Sequence, residues 1–120
     1  GDTAAANALD DYEEGTWNLT NVTAGSTTGS YTKIGDTVTV TYDSDATFSS
    51  ATTALPFSSV YGVGVSFYAD GIVMGAGIVP NVLVAGSTMY FRTLNQATGA
   101  YGTFTDLSGT FRISATYHTN

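Results

Sequence analysis

Tyr31-Thr32-Lys33-Ile34-Gly35-Asp36-Thr37-Val38-Thr39-Val40-Thr41-Tyr42 is the stretch that decides the fold. From Thr37 the residues alternate, with Val38, Val40 and Tyr42 on one side and Thr37, Thr39 and Thr41 on the other. Successive side chains of a strand point to opposite faces, so this pattern predicts a half-buried β-strand with a hydroxylated outer face. Gly35-Asp36 separates that strand from residues 31–34, and a two-residue loop with Gly first suits the type II′ turn of a tight hairpin.

The same period extends outward from the hairpin. Upstream, residues 16–23 read as a first strand and residues 24–30 as a Gly/Ser/Thr turn. Downstream, residues 43–54 read as a long polar loop, and Leu55-Pro56-Phe57 as a return to the core. Residues 63–68 and 72–79 flank Asp70-Gly71, a second hairpin signal. Gly62, Gly64, Gly75 and Gly77 lie in or beside these strands and predict a bulge, a bend or close approach of another backbone. Pro80-Asn81 turns the chain into a short strand, 82–84, and Ala85-Gly86-Ser87 leads to another, 88–94. In the latter Met89 and Phe91 face one way and Tyr90 and Leu94 the other, which suits a strand covered on both sides. Residues 95–109 read as a second long loop. The final strand, 110–118, sets Phe111, Ile113, Ala115 and Tyr117 against Arg112, Ser114, Thr116 and His118. About eight short strands without a helical pattern predict an all-β fold: an antiparallel β-sandwich or jelly-roll-like domain.

Composition narrows the function. Charged residues make up 11% of the 120, about half the usual share, and Thr, Ser, Gly, Ala and Tyr fill the difference. A charge-poor, hydroxyl-rich surface on a small domain suggests that part of it is covered by another subunit. Net charge is -7, and Lys33, Arg92 and Arg112 are the only cations. Nucleic-acid binding needs clustered Lys and Arg, so no nucleic-acid partner is expected, and an anionic membrane surface is disfavoured for the same reason. No apolar run approaches a membrane span, and no membrane insertion is expected. The chain starts at Gly1 without an initiator Met and reads as a piece of a longer protein.

Signals for chemistry are few. There is no Cys, so neither a thiol nucleophile nor a disulfide is available. No Gly-x-Ser-x-Gly elbow is present, and a Ser-His-acid triad would have to use His118, the third residue from the end. The Asp residues beyond the acidic start fall in expected loops or turns, where Asp ordinarily caps backbone groups. No enzymatic activity and no cofactor are expected. His118 is simplest as an exposed histidine; the sharper reading is one imidazole per chain meeting at a symmetry axis to hold a metal.

The chain's start carries a family resemblance. Leu9-Asp10-Asp11-Tyr12-Glu13-Glu14-Gly15-Thr16-Trp17, followed by Tyr31-Thr32-Lys33-Ile34-Gly35 and the alternating strand, resembles the C-terminal receptor-binding or tip domain of bacteriophage tail-fibre and tailspike proteins. Leu55-Pro56-Phe57 and the ending Phe111-Arg112-Ile113-Ser114-Ala115-Thr116-Tyr117 match more weakly, and Asn18-Leu19 stands where family members commonly read Thr-Pro. The resemblance implies a homotrimeric tip on a virion appendage, extracellular after release. Its partners would be its own copies and a bacterial surface polysaccharide or outer-surface protein. The alternatives are a carbohydrate-binding module of a polysaccharide-degrading enzyme and a purely structural trimerisation cap.

On this reading residues 1–15 are a joint to an upstream stalk and residues 16–120 the tip. Residues 1–14 would run either as a short helix capped by Asp2 or Thr3 or as an extended path around a symmetry axis. The acidic run reads as a solvated linker face; a calcium site of Asp10, Asp11, Glu13 and Glu14 is the sharper alternative, without the ligand spacing of an EF-hand. Leu9, Tyr12 and Trp17 are the joint and assembly candidates, with Trp17 expected to pack rather than to bind a sugar. Tyr31, Tyr42 and Tyr117 suit core or interface, and Tyr61, Tyr68 and Tyr101 a binding surface. The two long loops are placed at the distal end, with Asp43, Asp45, Asn95, Gln96, Tyr101 and Asp106 as receptor-binding candidates. Phe48 and Phe104 pinning those loops to the core is the plainer alternative.

Overall fold

The computed structural model describes residues 11–71, 75–104 and 107–119. Leu9, Asp10, Asp106 and residues 72–74 of an expected strand lie outside the described residues. Among the described residues nine strands follow in chain order: β1 (Tyr12–Asn18), β2 (Val22–Gly25), β3 (Thr28–Ile34), β4 (Thr37–Phe48), β5 (Thr52–Ser59), β6 (Tyr61–Asp70), β7 (Ile78–Asn95), β8 (Tyr101–Thr103) and β9 (Ser108–His118). Among the described residues there is no helix, and every strand pair is antiparallel. The all-β, antiparallel expectation holds.

Six strands form one sheet in the order β1-β3-β4-β9-β6, with β2 also pairing with β4; β5, β7 and β8 form a second sheet. Val38, Val40, Tyr42, Phe111, Ile113 and Tyr117 of the large sheet and Leu55, Val84, Met89 and Phe91 of the small one share a single buried core. The arrangement is sandwich-like. Phe48 meets Phe91 and Phe111 edge-on, at 5.1 and 5.0 Å between ring centres. Phe67 lies 5.5 Å from Phe104 and 5.9 Å from Phe91. Phe48 and Phe104, named as anchors for the two expected loops, are therefore core residues.

The Gly35-Asp36 hairpin forms as its sequence dictates. Ile34 pairs with Thr37 across the turn, and Gly35 takes φ 60°, the left-handed conformation that a II′ turn places at its first position. Trp17 is fully buried, and its indole N–H donates to the Ala54 carbonyl at 2.7 Å, linking β1 to β5.

Five sequence expectations are corrected. The first strand starts at Tyr12, so residues 12–15, read with the joint, are paired to β3. Charge is tolerated there because β1 is an edge strand, where carboxylates stay in water and discourage further strand pairing. Residues 43–54 are not a long loop. β4 runs on to Phe48, with Ala46 and Phe48 buried and Asp43 and Asp45 outward, and β5 begins at Thr52. Residues 82–84 and 88–94 belong to one strand of 18 residues, β7. Its buried residues Val84 and Met89 are five positions apart, so the inward face switches between them, beside Gly86 at φ 57°. Finally, residues 76–77 of the expected strand 72–79 form a turn, and the second long loop contains β8.

Candidate functional site

The outer face of the large sheet is built from the residues that alternate with the core. Register brings Thr16, Ser30, Thr41, Ser114 and Ser66 into one row across five strands. The adjacent row is Glu14, Thr32, Thr39, Thr116 and Gly64, with the Thr39 and Thr116 hydroxyls 3.1 Å apart. The short side chains of the first row, with Thr32, Thr39 and Thr116 of the second, leave a low floor of hydroxyl groups, and Glu14 stands at its β1 end.

Taller side chains wall this floor. On one side Asp43 pairs with Arg112, and Arg112 with Tyr68. The Arg112 Nε lies 3.3 Å from Asp43 Oδ1, and the guanidinium carbon 5.9 Å from the centre of the Tyr68 ring, which is 54% exposed. Between this wall and the floor lies a groove of about 600 Å³ lined by residues of β3, β4, β9 and β6. One row further, Asp45 and Asp70 flank Thr110, whose hydroxyl donates to Asp45, beside a second hollow of about 430 Å³. On the far side of the floor, Tyr12, Ile34, Thr37, His118 and Tyr61 make the other rim.

Charge on this face is one-sided. Arg112 is its only cation: Lys33 has its ammonium 5.7 Å from the Phe57 ring centre, on the core side of β3, and Arg92 is on the small sheet. Asp43, Asp45 and Asp70 surround Arg112 in the register.

Only part of the expected receptor set comes together. Asp43 and Asp45 sit on β4, in neighbouring hollows of the outer face. Asn95 and Tyr101 lie on β7 and β8 of the small sheet and Gln96 in the turn between them, whereas Asp43 and Asp45 lie on the large sheet. Asn95 Oδ1 accepts from the Ala97 and Thr98 backbone N–H groups at 3.0 and 3.2 Å, which is a turn-capping role. Gln96 donates its backbone N–H to Gly77. Tyr101 is exposed beneath the Arg92 guanidinium, at 4.4 Å, while Arg92 donates to Asn81 Oδ1 at 2.8 Å. On the β1–β3 pair, the exposed Tyr12 hydroxyl donates to Glu14 at 2.7 Å, and the Tyr31 hydroxyl donates to Glu13; each carboxylate raises its phenol's pKa above the ordinary value.

His118 is half-buried rather than free. Its Nδ1 lies 3.4 Å from Thr37 Oγ1 and 3.9 Å from Asp36 Oδ1, and its ring packs against Tyr61 at 4.6 Å. No group of three or more His, Cys, Asp or Glu that could hold a metal occurs among the described residues. Arg112, Ser66 and Ser114 were not singled out from the sequence as site residues. Alternation placed Arg112 and Ser114 opposite the core, but only the β4–β9 pairing sets them beside Thr41 and Asp43.

Compared with known proteins, the chain matches no family model, no curated protein sequence and no solved structure.

Proposed function

We infer that this chain is a non-catalytic recognition module of the tail-fibre or tailspike tip type. It works as a homotrimer on a virion appendage and binds a bacterial surface glycan through the outer face of its large sheet. The observation that carries the binding part is the hydroxyl floor registered across five strands beside Asp43, Arg112 and Tyr68. Sugars offer hydroxyls that both donate and accept, and apolar ring faces that stack on aromatics. A Ser/Thr floor with an acceptor, a donor and a half-exposed Tyr matches both. The assembly part is supported by low surface charge and by the motifs at residues 9–17 and 31–35.

The test pairs light scattering with adsorption to whole bacterial cells. A trimer whose adsorption falls on Tyr68→Ala or Arg112→Ala, with an unchanged melting temperature, is the expected result. A monomer at micromolar concentration would overturn the trimer and favour a sugar-binding module of a polysaccharide-degrading enzyme. Adsorption unaffected by both substitutions would overturn the assignment of the face.

A further inference from the structure

We propose that the outer face of the large sheet selects uncharged glycan chains and rejects anionic ones. This rests on the reading of that face as glycan-binding and adds the class of glycan. Arg112 carries the one guanidinium on this face, since Arg92 belongs to the small sheet. Arg112 already has Asp43 at 3.3 Å, both side chains about two-thirds exposed, and Asp45 and Asp70 occupy the next row. A uronate, sialate or sulfate approaching Arg112 would have to displace Asp43 and would then lie beside three carboxylates. Those like charges fall within the roughly 8–10 Å over which salt leaves charges interacting. No second cation on this face offsets the repulsion, since Lys33 and Arg92 are held elsewhere.

A neutral sugar meets no such conflict. A vicinal diol can donate to Asp43 and accept from Arg112 without separating them, because an exposed ion pair leaves lone pairs and N–H groups free. Hydrogen bonds to charged partners are stronger than those between neutral groups. Beneath the sugar, Thr41, Ser114, Ser66 and Ser30 offer hydroxyls that turn to donate or accept. In the wall beside this row, next to Arg112, the Tyr68 ring, 54% exposed, offers a stacking surface.

The groove also sets the length of the ligand. It crosses β3, β4, β9 and β6, which are neighbours in the sheet. Three strand spacings of about 4.8 Å make about 14 Å. That is the span of a short oligosaccharide lying across the strands rather than of a single sugar. Its walls stand on paired strands and not on loops, so little ordering is needed on binding.

The test uses a panel of purified polysaccharides: neutral dextran, mannan and galactan, and anionic alginate, polygalacturonate, hyaluronate and polysialic acid. Binding is measured by retention on the immobilised polymers at low and physiological salt. The protein is the trimeric or monomeric form it adopts, with thermal melts confirming that each variant is folded. At least one neutral polymer should retain the protein and no anionic one should. Tyr68→Ala and Arg112→Ala should each weaken that retention by about tenfold or more, as expected for the loss of one good contact. The double variant Asp45→Asn/Asp70→Asn should keep the neutral ligand and gain measurable retention on anionic polymers at low salt. Preferential retention of an anionic polymer by the parent protein, lost on Arg112→Ala, would overturn the selectivity while leaving the face as the site. Retention on neither kind of polymer, or retention indifferent to both substitutions, would overturn the glycan reading itself. A double variant that gains nothing would show that the carboxylates do not set the selectivity.

Discussion

The two faces of strands β4 and β9 invite comparison, because they are written by alternate residues of the same segments. Val38, Val40, Tyr42, Phe111, Ile113 and Tyr117 are almost wholly out of water, whereas Thr41, Asp43, Arg112 and Ser114 are exposed. Neighbours one residue apart therefore answer to different demands. An inward residue is set by volume, since interiors are packed to near-crystalline density. An outward residue is set by what it can donate, accept or stack. Changes on the inward face should be read in stability, and changes on the outward face in binding.

Trp17→Ala should break the inward face most severely. It removes a side chain with no exposure, and the Ala54 carbonyl loses its donor. The expected cost is about 3–5 kcal/mol in urea unfolding, with binding lost only through unfolding. A fully stable variant that no longer adsorbs to cells would make Trp17 a contact residue and collapse the distinction between the faces.

Gly29→Ala probes the seam between them. A methyl at Gly29 would come within 2.4 Å of the Thr41 carbonyl oxygen and 3.0 Å of the Trp17 ring. Backbone on one side and the buried indole on the other leave nothing flexible to give way. A loss of about 1–3 kcal/mol is expected, measured in the same unfolding experiment.

Tyr117→Phe sharpens the comparison through pH. Burial pushes the Tyr117 phenol up to about 12 from its ordinary 10.0, and the hydroxyl accepts the Phe57 backbone N–H at 3.3 Å. The folded state thus prefers the neutral phenol. The stability it contributes is intact below the unfolded value near 10 and is lost as pH rises through about 12. Melting temperature against pH should fall over that interval in the parent and fall less in Tyr117→Phe. At neutral pH the substitution should cost only about 1 kcal/mol, the worth of one hydrogen bond. Identical alkaline limbs would sink the assignment.

The smallest effect on stability is expected from Thr41→Ala/Ser114→Ala on the outward face. Unfolding should change by no more than about 0.5 kcal/mol, the usual range for surface positions. Adsorption to cells should nevertheless drop, because two floor hydroxyls are gone. A large stability loss with normal adsorption would show that this row supports the sheet rather than a ligand.

What could be read from the sequence was local. The Gly35-Asp36 turn, the alternation of residues 37–42 and that of 110–118 are properties of neighbouring residues, and all three stand in the structure. Asp43 and Asp45 misled because Asp is rare in strands, but period two simply continues through them, with small Ala46 holding the inward side. Ala85-Gly86-Ser87 misled in the same manner, since β7 passes through it while exchanging faces. The groove itself could not be read at all. It needs Thr41 opposite Ser114 and Arg112 beside Tyr68, pairings between segments far apart in the chain that no local pattern encodes.

The place of β9 has a consequence for the timing of synthesis. It is the last of the nine strands to leave the ribosome, yet it lies inside the large sheet, with β4 on one side and β6 on the other. Until it arrives, β6 has no neighbour in that sheet, and Phe67 is without the Phe111 ring it packs against. The same strand carries Arg112 and Ser114 into the groove. Completing the large sheet and completing the groove are therefore one event. A chain interrupted before Ser108 would display an unpaired β6 edge and would lack the β9 side of the groove.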